Sequence, residues 1–170
     1  MLEAGQVRIV LSWGENPSDL DSHLVRLTNN VKDYHVYFGD MRPANADANL
    51  DTDDTSSYGP ETTTINNLSS TSIYKYYVHD YSNGGNHNDE ILKASGAKVD
   101  VYYGDQSKTF YVPNENGNAW KVFEIVNGEI VPCTSECVFG VDGSGDNNLG
   151  LRKLERSNLD KSYFRNLPSK

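Results

Sequence analysis

The chain has 170 residues, with 24 acidic against 15 basic side chains and a formal net charge of −9. That length fits one domain with a real core plus a tail. The negative balance excludes a phosphate-neutralising face for nucleic acid and disfavours anionic membrane surfaces, whereas it suits solubility and divalent cations.

No apolar run approaches the roughly 20 residues of a membrane span, and no signal-peptide core is visible. Met1–Gln6 reads as the start of an excised module, so export is not legible there. From Val7 onward, period-two alternation and β-branched or aromatic runs replace helical periodicity. The expected strands are Val7–Trp13, Ser22–Leu27, Tyr34–Phe38, Thr62–Ile65, Ile73–His79, Lys98–Tyr103, Lys108–Val112, Trp120–Val126 and a short Glu129–Val131. Asn127-Gly128 is a hairpin signature, because both residues tolerate positive φ. About eight or nine short strands with such turns predict an all-β antiparallel sandwich, jelly-roll or Ig-like. The module is expected over 1–139. Residues 140–170 are expected to be a flexible or docked extension, with a Gly/Asp/Asn loop over Val138–Asn148, a helical turn or more within Leu149–Leu159 and a linker or docked tail from Ser162.

Within Ile73–Asp80, alternation places Ile73, Lys75, Tyr77 and His79 on one face and Tyr74, Tyr76, Val78 and Asp80 on the other. The 11 tyrosines fit amphipathic strand faces with packed rings and wet hydroxyls. A functional alternative is a Tyr/Trp platform for carbohydrate. Trp13 and Trp120 lie at or within apolar strands and are expected in the core.

The acids carry the strongest chemical signal. Asp19 and Asp21 stand two apart, so in an extended segment both carboxylates lie on one side. Asp51 and Asp53 repeat the spacing, with Asp54 next and Glu61 beyond the Tyr58-Gly59-Pro60 turn. Ca2+ takes six to eight oxygens, and clustered loop acids supply them, although this is no EF-hand. The alternative is a solvated loop, or carboxylates capping turn N–H groups. If the two loops meet, their repulsion must be answered by an ion or by a lysine.

His23 follows Asp21 by two and shares its face, and His79 closes a strand. An Asp/His transition-metal site is conceivable, but a strand histidine is more commonly a packed core residue. His87 lies in a Gly/Asn loop and reads as exposed. Cys133 and Cys137 sit in Pro132-Cys133-Thr134-Ser135-Glu136-Cys137, as a local disulfide or two free thiols, with no partner ligands for zinc at finger spacing. No nucleophile elbow, phosphate loop, zincin or dinucleotide motif occurs, so no enzyme is expected. A hydrolase with a carboxylate pair stays open as an alternative, since nothing selects a pair.

Several blocks also carry a resemblance: LSWG at Leu11–Gly14, DLDSHL at Asp19–Leu24, HVYFG at His35–Gly39, ANLDTDDTSSYGPET at Ala48–Thr62, YKYYVHDYS at Tyr74–Ser82 and WKVFEIVNGEIVP at Trp120–Pro132. In order and spacing, Val7–Pro132 resembles the YfaP-like, DUF2135-type β-sandwich module of large bacterial surface and secreted multidomain proteins. The resemblance implies an extracellular or cell-surface, non-enzymatic module acting in adhesion or as a spacer, without defining its ligand; a glycan or a protein at the cell surface is the partner class expected. The cysteine pair and the tail beyond Gly140 fall outside it. The combined expectation is a monomeric module that binds Ca2+ through Asp19, Asp21, Asp51, Asp53, Asp54 and Glu61. The first rival is a carbohydrate-binding module, the second a hydrolase.

Overall fold

A computed structural model describes residues 5–83, 86–141, 156–165 and 167–170. Two antiparallel sheets pack face to face. The strands are β1 (Val7–Ser12), β2 (Leu20–Thr28), β3 (Val31–Val36), β4 (Ala48–Leu50), β5 (Glu61–Ile65), β6 (Ile73–Asp80), β7 (Lys98–Tyr103), β8 (Gln106–Tyr111), β9 (Ala119–Val126), β10 (Glu129–Pro132) and β11 (Val138–Phe139). Two short helices, α1 (Ile91–Ala94) and α2 (Arg156–Ser162), and a 3₁₀ turn at Tyr81–Asn83 complete the described residues. One sheet runs β4-β5-β1-β7-β8; the other runs β10-β9-β6-β2-β3, with β11 beside β9. No described helix is long and apolar enough to cross a membrane.

The expected sandwich is therefore the observed one, with two additions. β4 has three residues, too few for alternation to register, and β11 has two. The loop expected over Val138–Asn148 instead begins as β11, whose Val138 and Phe139 pair with Trp120 and Ala119; its residues 142–148 and the part of Leu149–Leu159 before Arg156 lie outside the described residues.

The inner faces form the main core, in which Ile9, Leu11, Val99 and Val101 of one sheet meet Leu24, Tyr76, Val78 and Phe123 of the other. Tyr76 and Phe110 both stack on Phe123, at 5.4 and 5.3 Å between ring centres. Trp13 and Trp120 belong to this core at 6% and 3% exposure, which removes them from any exposed platform. The Trp13 indole N–H donates to the Pro17 carbonyl at 2.9 Å.

A second core covers the outer face of the six-stranded sheet. Val25 and Tyr77 of that face pack with Phe139 and with Tyr163, Phe164 and Leu167 of the C-terminal segment. Hence β6 is buried on both faces rather than amphipathic. The strand faces divide as alternation predicts, but the hydroxyls are not all wet: Tyr77 donates to Asp160 at 2.5 Å and Tyr74 to Asp47 at 2.9 Å. These two hydroxyls find internal partners, which avoids a burial cost of roughly 1–3 kcal/mol each; the buried hydroxyls of Tyr76 and Tyr163 have none among the described residues.

Cys133 and Cys137 are joined, with Cα atoms 5.8 Å apart. β10 and β11 lie in succession along the same edge of β9. Cys133 N–H donates to the Val122 carbonyl, and Lys121 N–H donates to the Cys137 carbonyl. Thr134, Ser135 and Glu136 are thus extruded from an otherwise continuous edge, and the disulfide closes the extrusion at its base.

Candidate functional site: an acidic cage around an ammonium

Backbone hydrogen bonds zip the two acidic loops together. Trp13 N–H donates to the Tyr58 carbonyl, Tyr58 N–H to the Gly14 carbonyl and Ser57 N–H to the Ser18 carbonyl, at 3.2, 3.0 and 2.8 Å. Ser57, Tyr58 and Gly59 all hold positive φ, which bends the second loop back onto Trp13. On the other side, Tyr81 N–H donates to the Asp19 carbonyl at 3.1 Å, which fixes the entry into β2 against the 3₁₀ turn.

This folding gathers Asp19, Asp21, Asp53 and Glu61, each offering an oxygen within 4.8 Å of the others. Asp21 and Glu61 are buried, at 1% and 0% exposure. Glu61 opens β5 on its inner face, and its Oε2 accepts from both the backbone N–H and the hydroxyl of Ser22 at 2.9 Å. Ser22 has this N–H to give because β3 pairs with β2 only from Leu24–Val36 onward.

Two of the six expected acids lie elsewhere. Asp51 still belongs to the sheet edge, where its N–H donates to the Thr62 carbonyl and its carboxylate accepts from Asn49 at 2.7 Å. Asp54 turns back on its own loop and accepts from the Ser56 N–H and hydroxyl at 2.7 and 2.8 Å, which is the turn-capping role. Alternation ends with β4 at Leu50, because residues 51 to 60 are not a strand.

The cation answering the cluster is Lys170. Its Nζ donates to both oxygens of Asp19 at 2.8 Å, to Asp21 Oδ1 at 2.6 Å and to Asp53 Oδ1 at 2.7 Å. The same ammonium lies 4.6 Å from the Phe38 ring centre and 4.7 Å from that of Tyr81, a distance at which ring quadrupoles attract cations. Lys170 N–H also donates to the Tyr81 hydroxyl at 2.9 Å. Lys170, Phe38 and Tyr81 were not identifiable from sequence as site residues. Lys170 is 117 residues from Asp53, and the nearest local signal is the apolar Tyr163, Phe164 and Leu167 that dock its segment.

One ammonium does not balance this cage. Burial raises the carboxyl of Asp21 well above the usual range, with Glu61 and Asp19 adding to the effect. Burial also raises Asp19, and it pushes Glu61 up to about 8 against the opposing hydrogen bonds from Ser22. For Lys170, burial alone would depress the ammonium, but Asp21, Asp19 and Asp53 overcome it and raise its pKa. Burial thus favours the protonated form of Glu61 at neutral pH, and a cation of higher charge density would favour the ionised one.

Beside it, on the outer face of the six-stranded sheet, lie three histidines. His23 Nδ1 and His35 Nε2 are 2.8 Å apart. Phe164 covers His23 and His79 at 4.7 and 5.3 Å between ring centres. Burial depresses His23 well below its usual pKa and His35 and His79 to about 3, so all three are neutral imidazoles at pH 7. His87 is half-buried rather than exposed.

A separate concavity of about 1010 Å³ opens on the outer face of the five-stranded sheet, with Arg8, Asp51, Thr62, Tyr102 and Tyr103 in its wall. Compared with known proteins, the chain matches no family model and no curated sequence.

Proposed function

We propose that this chain is a non-enzymatic β-sandwich module that holds a divalent cation, Ca2+, at the end of the sandwich where the two acidic loops meet. The observation that carries the reading is the convergence of Asp19, Asp21, Asp53 and Glu61 around one position, answered by a single ammonium that leaves negative charge uncompensated. Four carboxylates offer the all-oxygen, high-charge set that Ca2+ takes. Lys170 Nζ stands where the metal would bind, so ion entry requires the ammonium to leave. The DUF2135-type resemblance supports an extracellular or cell-surface setting, with an adhesive or spacer role. Burial of Asp21 and Glu61 argues against their use as a hydrolytic pair.

Thermal melts of wild type, Asp21→Asn and Asp53→Asn in Ca2+ and in chelator test the reading. A ligand that binds only the folded state at about 100 times its dissociation constant adds near 2.7 kcal/mol. The two substitutions should each weaken the Ca2+ response and combine non-additively, because they share one partner. Identical wild-type melts in Ca2+ and chelator would remove the ion site.

The carbohydrate reading keeps one specific support. The concavity carrying Tyr102, Tyr103, Arg8 and Asp51 joins ring faces to polar groups, and Tyr102 is 47% exposed. Glycan-array binding that Tyr102→Ala abolishes would establish it, whereas binding lost only on Lys170 or Asp53 substitution would place the ligand at the acidic cage.

A further inference from the structure

We infer that Asp21, His23 and His79 form a second cation site, of a different chemical class from the acidic cage, which takes a borderline transition ion such as Zn2+. In the β2–β6 register Asp21 lies opposite His79, and His23, opposite Tyr77, is the next residue on the same face of β2. The three side chains each offer a ligand atom within 4.8 Å of the others. Tetrahedral zinc needs separations near 3.3 Å, from Zn–N and Zn–O bonds of about 2.0–2.2 Å. Binding would therefore draw the ligand atoms together by up to about 1.5 Å.

The second observation concerns hydrogen bonding. Asp21 Oδ2, His23 Nε2 and both ring nitrogens of His79 are buried and have no hydrogen-bond partner. Buried polar atoms are nearly always bonded, so four such atoms on three adjoining residues require a cause. A shared cation is one that uses an oxygen and an imidazole nitrogen together.

The surroundings already orient these groups. Asp21 Oδ1 is held by Lys170, which leaves Oδ2 for the other side of the carboxylate. His23 Nδ1 meets His35 Nε2. With the proton on His23 Nδ1, the lone pair of Nε2 is available as a ligand, which is the outer-partner arrangement usual for metal-bound histidine. Phe164 and Tyr37 pack on the His23 ring and shield it from water. Two imidazoles and one carboxylate suit zinc and its neighbours; Ca2+ and Mg2+ favour oxygen alone. The site does not depend on Ca2+ at the cage, although both use Asp21.

Calorimetric titration of the chelator-treated full chain with Zn2+ at pH 7 tests the assignment. Wild type should bind Zn2+. His79→Gln and His23→Gln should bind it at least tenfold more weakly, and His35→Gln, which alters an outer partner, 10–100-fold more weakly. Asp53→Asn should weaken Ca2+ while leaving Zn2+ within twofold; equal loss of both would put zinc in the acidic cage and overturn the proposal. Unchanged affinity in His79→Gln would overturn it too. Because buried substitutions can unfold the chain, ring-nitrogen NMR of wild type gives an independent reading. Zn2+ should shift the Nε2 resonance of His23 and one nitrogen of His79. Unmoved resonances would mean that these atoms bind buried water only, and the proposal fails.

Discussion

Replacing Lys170 by Met separates the cage from its ammonium. The substitution keeps an unbranched side chain of similar length and removes the ammonium that lies by the Phe38 and Tyr81 rings and contacts Asp19, Asp21 and Asp53. Removing one partner of a buried ion pair costs about 3–5 kcal/mol. The Lys170 side chain is 14% exposed, and the raised carboxyls of Asp21 and Glu61 can take up protons, so the lower end, about 3 kcal/mol, applies in chelator. For a chain of this size that lowers the melting temperature by roughly 6–12 °C, at 2–4 °C per kcal/mol. Added Ca2+ should then recover most of the loss, since saturation at about 100 times the dissociation constant restores near 2.7 kcal/mol. The variant should also bind Ca2+ more tightly than wild type, because wild type must first displace its own ammonium, and affinity falls with the fraction of open cage. Calorimetry in parallel with the melts measures both. If Lys170→Met melts alike in Ca2+ and chelator, or binds Ca2+ no better than wild type, the competition between ammonium and metal is refuted.

Trp120→Ala should cost roughly 3–5 kcal/mol, as for other buried aromatic truncations, and a denaturant midpoint near that of wild type would contradict its core position. Gly59→Ala combines φ +73° with a Cβ 2.8 Å from the Trp13 ring; it should destabilise by more than 2 kcal/mol and perturb tryptophan fluorescence, and an unperturbed melt would rule out the close approach. Opening the Cys133–Cys137 loop by Cys137→Ser should cost about 2 kcal/mol in the chain-entropy account, seen as a melt that no longer responds to reductant. Burial, together with Asp89, pushes the Asp80 carboxyl up to about 8. Its folded value is raised, so its contribution is fully present below about pH 4 and is lost as pH rises through 8. In chelator, wild type should melt higher at pH 6 than at pH 9, and Asp80→Asn should flatten that difference; an unaltered slope would contradict the shift.

Much of the sandwich was legible because one face of each long strand is apolar at period two, as in Val7, Ile9 and Leu11 or Val99 and Val101. The same pattern could not show that the other face of β6 is covered, since Tyr77 and His79 look alike whether they meet water or Phe164. The Asp19–Asp21 pair was legible for the reason that Asp51–Asp53 was not. Asp21 lies in β2, where parity dictates direction, whereas Asp53 lies in irregular backbone. The need for a counter-cation followed from charge repulsion, but its identity depended on a contact spanning 151 residues, from Lys170 to Asp19. Pairing over such a distance leaves no periodic trace.

The extruded Thr134–Glu136 segment has a consequence for assembly. A sheet grows sideways when an edge offers an uninterrupted row of backbone donors and acceptors to an incoming strand. Beside β9 that row is broken between Pro132 and Val138, and the covalent clasp prevents the chain from straightening to mend it. This margin of the six-stranded sheet is therefore a poor template for a further strand while the cysteines are oxidised.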